Sequence, residues 1–439
     1  MAHASTRGRA VIPGLLSSLI FAGSLYLIFS EKLNRTIAGI AGSAAMVGAG
    51  LALGFYSEEA AIAAIDFNTL GLLLGMMILV ALLEPTGFFQ YLAVWAGRWS
   101  RGHPVRLLVL LGTVTTVLSM FLDNVTTVVL IAPVTILISE ILGMSATPLL
   151  MAEALLADTG GVATLIGDPP NVLIASAAGF SFNDFLTHAL PVVAAAWLTA
   201  LLLLRYLFRQ ELAVRPPDVE AVLRLNPSEA LNDQATARRV LIVLGAAILL
   251  FFFHDRLHLS PAFIALGAAA GALVWVRPAI HETFQRVEWS VLIFFSALFV
   301  MVGGLEAAGV LRALVGLIAR ANAMPPVLLG VAMIWIVAAL SAVVDNVPIT
   351  IALIPVIEGL GAAGVATGPL WWALAFGAGF GGNGTIIGST ANIVVASLSE
   401  RTRTPITSAL WNKRGLPVML ATCAVASILY VLTFPFLSR

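Results

Sequence analysis

The stretch "FLDNVTTVVLIAP", residues 121–133, decides how this chain is read. It lies inside a long apolar run, yet it carries Asp123 and Asn124. An ionisable side chain at bilayer depth is costly unless it faces water or a partner, so it marks a functional site by default. The chain writes the same idea again 222 residues later, as "VVDNVPITIALIP", residues 343–355.

The repetition extends outward from that pair. A shift of 222 also sets Asp66 on Glu288, Glu84 on Glu306, Gly87 on Gly309 and Pro133 on Pro355. A shift of 221 then sets Gly160 and Gly161 on Gly381 and Gly382, Thr164 on Thr385, Gly167 on Gly388 and Asn171 on Asn392. One fold is written twice.

Composition gives the class. Of 439 residues 60% are hydrophobic and 10% charged, against about 25% charged in a soluble domain. This is a polytopic membrane protein, expected as a multi-pass protein of the inner or plasma membrane with the lipid bilayer as its surroundings. Net charge of zero removes any case for nucleic-acid binding. The one cysteine, Cys423, excludes a disulfide framework or thiolate cluster built from this chain. Residues 11–30 follow Arg7 and Arg9 but are too long for a signal-peptide core, so they read as an uncleaved span.

Apolar stretches long enough to cross fall near 13–30, 36–55, 68–83, 189–208, 239–253, 259–276, 290–305 and 415–437. Basic residues in short loops favour the cytoplasm. Loop 98–106 carries Arg98, Arg101 and Arg106, and its counterpart 320–325 only Arg320. After the second block the bias reverses, with no Lys or Arg in 179–188 and four in 400–414. The halves therefore face opposite sides, the inverted architecture of secondary transporters.

The expected fold is all-α: two inverted repeats, each with five transmembrane segments, a re-entrant helical hairpin and a broken helix. Residues 1–12 form a tail, 13–208 the first repeat (hairpin 105–141, broken helix 148–178), 209–238 a cytoplasmic linker and 239–437 the second repeat (hairpin 326–360, broken helix 370–398). Both termini are expected outside. Segments 87–99 and 309–320 read as interfacial helices, and His188 as a solvated loop residue.

Non-helical backbone at membrane depth is tolerated only where it is buried or lines a cavity. The two hairpin tips and the breaks at "GDPPN" and "GSTAN" should therefore converge on one midplane site. Its expected substrate-binding residues are Asn124, Thr126, Thr127, Asn171, Asn346, Thr350, Ser389, Thr390 and Asn392, with Thr164 and Thr385 nearby. Its proton- or cation-coupling residues are Asp123, Asp345, Asp168 and Asp158, the last without an acidic twin. No Lys or Arg occurs from Leu107 to Leu204 or from Ala321 to Glu400. A site rich in carboxyl groups without a cation disfavours an anion and suits a small cation or a neutral polyhydroxyl solute. No catalytic residue, metal or other cofactor is expected, nor an enzyme. The chain has no G-x-x-x-x-G-K-[ST], so a proton or sodium gradient, or a separately supplied ATPase subunit, must drive transport.

At "LDNVTTVVLIAPVT", "LIGDPPNVLIAS", "VDNVPITIALIPV" and "GGNGTIIGSTANIVVAS" the chain resembles the ion transporter superfamily, in its branch of arsenite permeases (ArsB), NhaD antiporters and P-protein permeases. The resemblance implies inverted repeats, a scaffold of outer helices, alternating access, and often a homodimer. Carboxylate transporters of the superfamily carry Ser-Asn-Thr at the tips; Asp123-Asn124-Val125 and Asp345-Asn346-Val347 stand here instead. The expected activity is export of arsenite or antimonite, as the neutral trihydroxide, in exchange for protons. Sodium/proton antiport is the alternative, and the branch also includes silicic-acid exporters and organellar anion-linked permeases of the P-protein kind.

Overall fold

The computed structural model describes residues 2–29, 33–213, 216, 219–310 and 325–437, with only the backbone given for 2–11. The main helices are α1 (Ala2–Phe29), α2 (Arg35–Leu53), α3 (Phe67–Leu83), α4 (Phe88–Trp99), α5 (Pro104–Ser119), α6 (Asn124–Ile141), α7 (Thr147–Gly161), α8 (Pro169–Ala178) and α9 (Leu190–Leu207). They continue as α10 (Gln234–Leu257), α11 (Pro261–Val276), α12 (Trp289–Ala307), α13 (Pro326–Ser341), α14 (Asn346–Ala362), α15 (Gly368–Gly381), α16 (Thr390–Ser399) and α17 (Ser408–Leu437). The chain is a multi-pass, all-helical membrane protein. Among the described residues seven helices are long and apolar enough to cross, and shorter apolar helices accompany them.

Local chemistry starts and stops the helices where the repeat demands. Asp66 caps α3, its carboxylate accepting from the Asn68 and Thr69 N–H groups at 2.9 and 3.2 Å. Gly54 ends α2 with φ 70°, a left-handed conformation that costs glycine little. Prolines stand in the first turns of α5, α7, α8, α13 and α15, where a missing N–H is no loss.

Two bundles result. In one, α2 packs on α12 and α11 on α3, with α1 and α10 outside them. In the other, α5 packs on α7 and α13 on α15, while α6 meets α16 and α14 meets α8. Each second hairpin arm thus lies against the broken helix of the opposite half. Every residue of α7 is buried, as is Pro369–Gly381 of α15, so these two helices form the centre of the second bundle.

Several expectations change. Residues read as an N-terminal tail belong to α1, whose backbone is helical from Ala2. The linker holds short helices and docks: the Asn232 N–H donates to Thr86 O at 2.8 Å, and Arg414 holds Glu211 at 3.2 Å. His188 is no free loop residue; it is half-buried between Trp372 and Phe436, stacked at 5.1 and 4.4 Å. Most of segment 309–320 lies outside the described residues.

Candidate functional site

Both breaks are built alike, bond for bond. The Asn171 amide donates to Gly161 O at 3.0 Å and to Thr164 O at 2.8 Å; the Asn392 amide donates to Gly382 O at 2.9 Å and to Thr385 O at 3.1 Å. The Ser119 hydroxyl bonds Ala157 O at 2.9 Å, and Ser341 bonds Ala378 O at 2.7 Å. Thr164 and Thr385 donate to Met120 O and Ala342 O. These side chains satisfy carbonyls that the broken helices leave free, which the membrane interior requires. Gly167 and Gly388 permit the close approach: a Cβ on either would stand 2.5 Å from the oxygen of Gly161 or Gly382.

Each interruption ends on a helix N-terminus, the positive end of the helix dipole. Asp123 caps α6 by accepting from Thr126 N at 2.9 Å, with the Thr126 hydroxyl adding a bond at 3.1 Å. Asp345 caps α14 through Val347 N at 3.2 Å, and Ser389 caps α16 through Ala391 N at 3.3 Å. Asp168 stands at the cap of α8 but its side chain makes no cap bond. It accepts instead from the Asn346 amide at 3.0 Å.

The halves are joined through acids. Asp158 Oδ1 accepts from Asn124 at 2.7 Å and from Ser389 at 3.1 Å, while its Oδ2 is buried without a partner. Asp158 and Asp168 are each 3% exposed. The position repeating Asp158 is Gly379, where a Cβ would stand 2.1 Å from a Val162 methyl, so the second half has no room for the acid.

These groups border a cavity of about 250 Å³ between the bundles. Its walls include Leu73, Met76 and Val80 of α3 and Val291, Phe294 and Phe295 of α12. The C-terminal part of α3 and the N-terminal part of its sequence counterpart α12 line the same space. Arg35 and Arg286 also border it, against five carboxyl groups, Glu84, Asp123, Asp168, Glu288 and Asp345. Both arginines are already engaged, Arg35 with Asp345 at 2.8 Å and Arg286 with Glu84 at 3.1 Å.

Of the residues singled out from sequence, Asp123, Asn124, Thr126, Asp168, Asp345, Asn346, Ser389 and Thr390 border the cavity. Asp158 lies just behind it. Thr127 and Thr350 instead donate to the carbonyls of Asp123 and Asn346, and Asn171 and Asn392 brace the breaks. Arg35 and Glu288 come from outside the interrupted blocks, so the cation-free stretches do not make a cation-free site. A signal existed for Arg35: it is a lone arginine at the edge of an apolar span. Among the described residues no group of three or more His, Cys, Asp and Glu side chains is arranged to hold a metal ion.

Comparison with known proteins adds the relationship. The profile of the family described as citrate transporter matches residues 25–377. A 46 kDa membrane protein of Mycobacterium leprae is 37% identical over 94% of this chain and 97% of its own length. An uncharacterized transporter of Mycobacterium tuberculosis is 38% identical over 95% and 98%. The human P protein is 33% identical, covering 97% of this chain and 60% of that protein. The crystal structure of the YdaH transporter of Alcanivorax borkumensis superposes with a TM-score of 0.63 over 97% of this chain and 98% of its own, at 16% identity, a likeness of fold.

Proposed function

The chain belongs to the citrate transporter family, a membrane transporter by kinship with the P protein and its relatives, and from that premise we propose that it is a proton-coupled secondary transporter exporting arsenite and antimonite as neutral trihydroxides. The observation that carries the reading is Asp158. This buried acid accepts hydrogen bonds from Asn124 of one half and Ser389 of the other, and keeps one oxygen unpartnered. A carboxyl group so placed exchanges a proton in step with the packing of the two halves around it.

The cavity supports a solute held by hydrogen bonds. Asn124, Asn346, Thr126, Ser389 and Thr390 bring amide and hydroxyl groups, each bonded here to an acid of the site, and a solute's O–H groups can exchange with those neutral bonds and donate to the acids in turn. A tricarboxylate such as citrate would meet five carboxyl groups and two arginines that are already paired. Like charges at that range repel it.

The same excess of carboxyl groups favours a second reading, sodium/proton antiport, in which Asp123, Asp168 and Asp345 on the cavity wall balance the charge of a passing cation. Proton flux separates the two. Inside-out vesicles holding a pH gradient, reported by a dye, receive arsenite, antimonite or NaCl in parallel. Collapse with arsenite or antimonite alone supports the lead; collapse with NaCl alone replaces it with the antiporter; no collapse with any of them overturns both.

A further inference from the structure

Glu153 belongs to no part of the site just described. It lies on α7 with 0% exposure; one carboxyl oxygen accepts from the Thr135 hydroxyl of α6, and the other, Oε2, is buried with no partner. Asp158, five residues on in α7, repeats the arrangement: one oxygen is held by a donor of α6, Asn124, and the other is unpartnered. Five residues of helix rise about 7.5 Å along α7, while the α6 donors Asn124 and Thr135 are eleven residues apart, so the two acids stand at separate depths of one interface and water entering between the helices carries the proton from one to the other.

The internal repeat shows what packing alone requires at that place. The positions equivalent to Thr135 and Glu153 are Ile357 and Leu374, both fully buried within one apolar cluster. The second half fills the same site with two aliphatic side chains, so the fold does not need a carboxyl group there. A buried acid also costs stability unless a cation answers it, and among the described residues no ion pair to Glu153 forms. On the neighbouring helices Arg106, Glu140, Arg205 and Lys413 are exposed, and Arg414 is held by Glu211.

We infer that Glu153 is a second proton-carrying station, which takes the proton of Asp158 along the α6–α7 interface and releases it toward the end of α7 that carries Thr147. The Asp158 O–H bond breaks, water passes the proton, the O–H bond at Glu153 Oε2 forms, and no electron changes hands. At that end the Thr147 hydroxyl bonds Thr404 O at 2.7 Å, beside Arg401 and Arg403, the face assigned to the cytoplasm by its basic residues. Protons then leave by a route separate from the mouth of the substrate cavity, which Asp158 does not border. This inference rests on the proton-coupled reading above.

Infrared difference spectra of the purified protein between two pH values test it without any substrate. Wild type should show a carboxylic C=O band that titrates and that Glu153→Gln lacks; an unchanged set of bands in the variant overturns the inference. In vesicles, whichever of arsenite, antimonite and NaCl moves protons with wild type should give at least about tenfold less net flux with Glu153→Gln, while exchange of the same solute at equal pH on both sides persists. Wild-type net flux in the variant also overturns the inference and leaves the proton-coupled reading standing. The double variant Thr135→Ile, Glu153→Leu copies the second half's own packing; it decides the matter if the single variant does not accumulate, with the same loss expected and wild-type flux fatal.

Discussion

Arg35, at the start of α2, and Asp345, at the tip of the second hairpin, lie 310 residues apart in the chain and meet at 2.8 Å. The pair ties the bundle that holds α2 to the hairpin tip that borders the cavity. The same carboxylate also caps α14 and accepts from Thr390 at 3.3 Å, so one side chain reports to both halves.

Arg35→Gln should therefore impair transport more than folding. The two side chains are 36% and 24% exposed, and such a pair contributes about 1 kcal/mol or less to stability. Net flux should fall about tenfold, equivalent to ~1.4 kcal/mol on the barrier, while the Tm in detergent moves little. Wild-type flux would make the pair structural only.

Asp158→Asn keeps an oxygen for Asn124 and Ser389 but cannot exchange a proton. Coupled flux should drop at least about a hundredfold, the lower range for a positioned proton-transfer group, with the protein still in the membrane. Asp123→Asn and Asp345→Asn should also lose coupled transport, and because asparagine caps helices as well as aspartate, thermal stability should hold. Flux assays beside membrane yield read both quantities.

Gly167→Ala and Gly388→Ala should fail in the same way. Each Cβ would stand within 3 Å of two carbonyl oxygens, those of Gly161 and Ser119 in the first half and of Gly382 and Ser341 in the second. Overpacking of this kind costs about 1–3 kcal/mol, read as a lower Tm and lower yield. A tolerant Gly388→Ala beside an intolerant Gly167→Ala would show that the two breaks carry unequal loads.

Cys423→Ser should leave transport unchanged. Cys423 is fully buried in α17, away from the cavity, and a serine there can bond a carbonyl one turn back, as Thr422 does with Val418 O at 3.0 Å. A severe loss in the flux assay would bring sulfur into the mechanism.

Reporters fused to the two ends should both read as external. A cytoplasmic signal from the N-terminal fusion would remove one crossing from the first half.

Much of the architecture is legible in the chain because its causes are local or duplicated. Hydropathy marks the spans, Pro and Gly mark the breaks, and a second copy of Asp-Asn, Gly-Gly and Asn at constant offsets fixes which interruptions correspond. The matching bonds of Asn171 and Asn392 follow from that duplication. What each acid touches is not local. Asp158 has no twin to draw attention to it, yet its donors arrive from 34 and 231 residues away. Arg35 enters the site from a helix of the other bundle, and Glu153 is set apart only by the aliphatic pair that replaces it and Thr135 in the other half. Sequence alone determined a doubled, broken-helix membrane protein, since backbone hydrogen bonding in lipid admits few ways to place such segments. Tertiary packing alone decided which carboxyl groups are capped, paired or left with a free oxygen, because the partners of a buried charge are chosen by the crossing of helices distant in the chain.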